Sequence, residues 1–97
     1  MPPRGTVSLE CRRRNQEDNI ATGLLDLSDG GVRVLSTSAL QPDERVEVQF
    51  DAFGVPGTIV RSATVVWSLR LQNRQFAAGL RFKTPLSSQE LLQLARS

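Results

Sequence analysis

Histidine and tyrosine are absent from the 97 residues, and cysteine, tryptophan and methionine occur once each. Without histidine the chain lacks the usual general base and the Ser-His and Cys-His pairs that activate a nucleophile. One thiol and no imidazole exclude a zinc site of ordinary composition. Cys11 has no second cysteine to pair with, which fits a reducing compartment. Only a carboxylate pair is left for acid–base chemistry, and Asp26 with Asp29 is the one candidate near a turn. The expectation is therefore a protein that is not an enzyme and carries no cofactor and no metal. No apolar run approaches the length of a membrane span. Met1 to Arg4 lacks the apolar stretch of a secretory signal. A cytoplasmic location with no membrane partner is expected.

Hydrophobic residues make up 39% of the chain, a globular composition and not a disordered one. At this length one domain, residues 1–97, buries roughly two-thirds of its unfolded surface and needs no staples. The net charge of +2 conceals a bias, since eleven of the twelve basic residues are arginine. Arginine's planar fork pairs bidentately with phosphate or with a guanine edge. Genomic base composition raises arginine too, so position has to decide. Residues 1–16 carry a balance of +3 and residues 61–97 one of +5, with an acidic middle between them.

The chain alternates like a set of short strands. Val7, Leu9 and Cys11 share one face of a first strand, and Arg12 to Asn19 follows as a polar loop or arm. Ile20–Leu27 and Val32–Ser36 are the second and third strands. Val46, Val48 and Phe50 mark a fourth. Thr58–Leu69 is a long fifth strand, with Arg61, Ala63, Val65 and Trp67 on one face. Phe76–Phe82 is the sixth, and Gly79 within it marks a bulge or a close backbone approach. Six short antiparallel strands at this spacing predict an all-β barrel, about residues 5–83, which closes on itself and hides its edges. The end differs. Ser87-x-x-Glu90 is a capping box with Leu86 and Leu91 at its staple positions, so a short helix, about residues 87–96, must dock on the barrel.

Between the second and third strands lies Asp26-Leu27-Ser28-Asp29-Gly30-Gly31-Val32. Short polar side chains here hydrogen-bond a turning backbone, and a glycine at positive φ is expected at Gly30 or Gly31. Asp26-x-Ser28-x-x-Gly31 has the D-x-S-x-x-G form of PilZ domains, bacterial receptors for cyclic di-GMP. Ala63-Thr64-Val65-Val66-Trp67 and Gly79-Leu80-Arg81-Phe82 resemble later strands of that family, so the resemblance covers nearly the whole chain. It implies a six-stranded antiparallel PilZ-like barrel with a C-terminal helix.

The resemblance also implies a ligand and a gap. In the family an R-x-x-x-R motif just before the first strand contacts phosphate and guanine. Here Arg12, Arg13 and Arg14 follow the first strand and have Gln16, Glu17 and Asp18 four positions on; Arg4 can stand for only the second arginine. The expectation is a cyclic di-GMP receptor whose site is made by Asp26, Ser28, Gly31, Arg4, Arg12, Arg13 and Arg14. It would signal to an unidentified downstream protein. The alternative is a PilZ-like protein-interaction module that has lost the nucleotide. Single-stranded nucleic acid is an unfavoured partner, because its binding needs exposed stacking aromatics. Phe50, Phe53, Phe76, Phe82 and Trp67 mostly take core-facing positions.

Overall fold

A computed structural model describes residues 7–52 and 57–95. Six strands run in the order β1 (Val7–Arg13), β2 (Ala21–Leu27), β3 (Gly31–Ser36), β4 (Arg45–Ala52), β5 (Ile59–Arg70) and β6 (Phe76–Phe82), followed by helix α1 (Ser88–Ala95). They form one antiparallel sheet ordered β1-β4-β5-β6-β3-β2. The sheet curls until its two edges nearly meet. At that seam the Ile20 amide donates to the Cys11 carbonyl over 2.8 Å. The Asn19 side-chain oxygen accepts from the amides of both Cys11 (2.8 Å) and Ala21 (3.0 Å). One amide side chain thus stands in for a missing rung of the ladder.

Alternation fills the interior. Val32 and Val34 from β3, Val46, Val48 and Phe50 from β4, Ala63 and Val65 from β5, and Ala78, Leu80 and Phe82 from β6 are all buried. Phe50 and Phe82 meet edge to face with ring centroids 6.0 Å apart, an arrangement that aromatic quadrupoles favour. Leu86 and Leu94 complete the core from the helical end, and α1 packs against β4. The capping box forms as the sequence predicts. Ser87 N donates to the Glu90 carboxylate (2.8 Å) and Glu90 N to Ser87 Oγ (3.0 Å).

Two features depart from the sequence reading by more than a residue at an element's end. Arg12 and Arg13 belong to β1 and not to a loop, because they pair with Glu47 and Val46 of β4 and their charges are met. Arg12 bonds Glu10 at 2.9 Å, and Arg13 bonds Glu44 at 2.8 Å as well as the Ala39 carbonyl. Along β5 a bulge between Val65 and Trp67 breaks the alternation. The extra residue turns Trp67 outwards opposite Gly79, where the indole is 40% exposed and not part of the core.

Candidate functional site

The hairpin between β2 and β3 is built by short polar bonds. Ser28 N and Ser28 Oγ both donate to the Gly31 carbonyl, over 2.9 and 3.3 Å. The loop's own carbonyls are also occupied. Gly30 accepts from Phe82 N (2.9 Å), and Asp29 accepts from Leu86 N (2.8 Å). The turn is therefore tied to the end of β6 and to the approach to α1. This bonding explains a correction: neither Gly30 nor Gly31 has positive φ, and among the described glycines only Gly57 does. Gly31 is needed for space. A Cβ there would lie 2.3 Å from the Leu80 carbonyl oxygen, because β3 and β6 approach closely.

Register then sets the site. On the outer face Asp26, Arg33, Gly79 and Trp67 lie in one row across β2, β3, β6 and β5. The next row holds Gly31, Arg81, Thr64 and Arg45 across β3, β6, β5 and β4. Between these rows runs a groove of about 340 Å³, lined among others by Asp26, Ser28, Gly31, Arg33, Trp67 and Arg81. Arg33 donates to the Asp26 carboxylate at 2.6 Å, and Asp26 also receives the Leu27 amide at 3.0 Å. The indole rests on the bare Cα of Gly79, where a Cβ would come within 2.1 Å of its Nε1.

Of the residues expected from sequence, Asp26, Ser28 and Gly31 are brought together here. Arg4 lies outside the described residues. Arg12, Arg13 and Arg14 line a different groove, of about 670 Å³, together with Arg45, Arg81 and Lys83. Arg81 lines both grooves.

Three groove residues are not evident from the sequence pattern. Arg33 carries the clearest signal, since it follows Gly31 by two positions and so shares its outward face. Arg81 alternates with the inward Leu80 and Phe82, so its outward face is legible, but its neighbours Gly31 and Thr64 across β3 and β5 are not. Trp67 is hidden by a bulge that no periodicity announces.

The groove offers hydrogen-bond acceptors, two guanidinium forks and one aromatic face, which is equipment for binding. Elsewhere, burial and the nearby Glu44 push the Cys11 thiol up to about 11, so it is neither thiolate nor ready metal ligand at neutral pH. Among the described residues no group of three or more His, Cys, Asp or Glu is placed to hold a metal ion. No helix among them is long and apolar enough to cross a membrane.

Comparisons with curated proteins and with solved structures return no match. A family model, that of the PilZ domain, matches residues 2–97, and with the barrel, the helix and the D-x-S-x-x-G hairpin all in place, the chain belongs to the PilZ domain family of cyclic di-GMP receptors.

Proposed function

We propose that this chain is itself a cyclic di-GMP receptor that binds the nucleotide in the groove beside the β2–β3 hairpin. The reading rests on the convergence of Asp26, Ser28 and Gly31 with Arg33, Arg81 and Trp67. Each supplies what the ligand requires. The forks of Arg33 and Arg81 pair with phosphate oxygens or with guanine O6 and N7. A carboxylate has about four acceptor positions, so Asp26 takes the guanine N1–H and N2–H₂ edge while keeping Arg33. Gly31 keeps β3 close against β6 at the edge of the groove, and the exposed indole offers a ring to stack on. Arg4 remains the candidate for the second arginine of R-x-x-x-R. Arg12, Arg13 and Arg14 carry no direct contact in this proposal, since they line the other groove and the first two are held by Glu10 and Glu44.

One observation favours the second reading, a protein-interaction module without nucleotide. The Asp26 carboxylate is already engaged by Arg33. Amide shift mapping by NMR separates the two. Saturable shifts on adding cyclic di-GMP, confined to the 26–33 hairpin, 66–67 and 79–81, support the receptor. Shifts absent at millimolar nucleotide leave the interaction module.

A further inference from the structure

From the outer face of β1, β4, β5 and β6 we infer that the larger groove docks an acidic, extended segment of a partner protein. Arg14, Arg45, Arg81 and Lys83 project there, all exposed. None of the four has a carboxylate within ion-pair distance among the described residues. By contrast Arg12, Arg13, Arg33 and Arg61 are each paired, with Glu10, Glu44, Asp26 and Glu90. Arg70 and Arg74 are also without such partners among the described residues. They sit at the opposite ends of β5 and β6 and line neither groove. Four unmatched cations in one groove of about 670 Å³ form a local field that attracts an anion and costs folding free energy while it stays empty.

The spacing selects the anion. Arg45 and Arg81 are separated by β5, two strand spacings or about 10 Å, and Arg81 and Lys83 are two residues apart along one strand, about 7 Å. A single phosphate is too small to reach them all. Carboxylates on alternate residues of an extended chain repeat at about 7 Å, the same interval. Among the described residues of the groove lining the sole carboxylate, Glu47, lies among these cations. A uniformly charged polyphosphate has to set a negative charge against it, whereas a peptide can set a neutral residue there. Phe82, the only aromatic lining residue among those described, is buried, so among them bases of a single-stranded nucleic acid find no platform. Ser62 and Thr64 add hydroxyls that a peptide backbone can use.

The test is NMR titration of the 97-residue chain with a capped decapeptide of alternating Glu and Ser, in parallel with tripolyphosphate. It is made without nucleotide, so its outcome is independent of the receptor reading. The inference predicts saturable shifts at residues 14, 45–47, 62–64 and 81–83, weakening as salt rises. Arg45→Ala with Arg81→Ala should lower peptide affinity at least about tenfold, as loss of two charge-assisted contacts requires. Arg14→Ala, beyond the end of β1 and harmless to the sheet, should also weaken it. Absence of saturable peptide binding, or shifts clustered in the Arg70–Arg74 hairpin, overturns the inference. Tighter binding of tripolyphosphate than of peptide at the same amides overturns it as well and makes the groove a phosphate site.

Discussion

The indole of Trp67 lies directly over Gly79, with room between them for no side chain at all: a Cβ on residue 79 would fall 2.1 Å from the indole nitrogen. Gly79 is thus the floor on which one wall of the candidate ligand groove stands. In Gly79→Ala the ring has to swing away. The expected cost is about 1–3 kcal/mol, the usual range for an overpacked contact. Trp67 is the only tryptophan, so its fluorescence reports the movement directly. A red-shifted emission together with a lowered melting temperature is expected; unchanged emission would show that the contact does not hold the ring.

Gly31→Ala should be worse, because the obstacle is a backbone carbonyl within a ladder and not a side chain that can turn. A loss of about 3 kcal/mol or more is expected. The neighbouring Gly30→Ala is the control: a Cβ there meets nothing within 4 Å and φ is unexceptional, so its effect should stay within about 0.5 kcal/mol. Denaturant unfolding of the two variants measures the contrast, and equal losses would contradict the close-approach account.

Much of the barrel is legible in the order of its residues. The alternating apolar residues of β3, β4 and β6 have a period of two, and a period of two in a half-buried strand admits one inward face. The capping box is local chemistry between Ser87 and Glu90, so sequence spacing alone reveals it. The features that spacing does not reveal have one physical cause, which is that they depend on partners distant in sequence. Arg12 and Arg13 look like loop residues until Glu44 and the edge of β4 arrive. Trp67 looks inward until a bulge against β6 turns it. Gly31 looks like a φ requirement until β6 comes too near.

The helix depends on Leu94 more than on Leu91. Leu94 is fully buried in the core, whereas Leu91 is only half-buried against it. Leu94→Ala should cost about 2–5 kcal/mol and Leu91→Ala about half as much. Chemical denaturation is the measurement. A loss below about 0.5 kcal/mol for Leu94→Ala, a value typical of surface sites, would mean that the helix is not docked.

Glu90 ties the helix to pH. Its hydrogen bond from the Ser87 amide, helped by the Arg61 guanidinium, holds its carboxyl below the ordinary value of 4.5. A carboxyl with a lowered pKa in the folded state stabilises fully above its unfolded value, and that contribution is lost as pH falls through the folded value. Wild type should therefore melt above Glu90→Gln at neutral pH, and the gap should close in acid below pH 4.5. Thermal melts across the acid range check it. A gap that is constant with pH would remove Glu90 from the account.

Calorimetric titration with cyclic di-GMP tests the receptor most directly, on the wild type, on Asp26→Ala and on the triple change of Arg12, Arg13 and Arg14 to Ala. The groove account predicts saturable heat for the wild type. Affinity should fall about ten- to a hundredfold in Asp26→Ala, where a charge-assisted contact worth about 1.5–3 kcal/mol is lost. The triple variant should lose far less, since those arginines line the other groove. No heat from the wild type at millimolar nucleotide would contradict the receptor reading, and a triple variant weaker than Asp26→Ala would move the ligand to the larger groove.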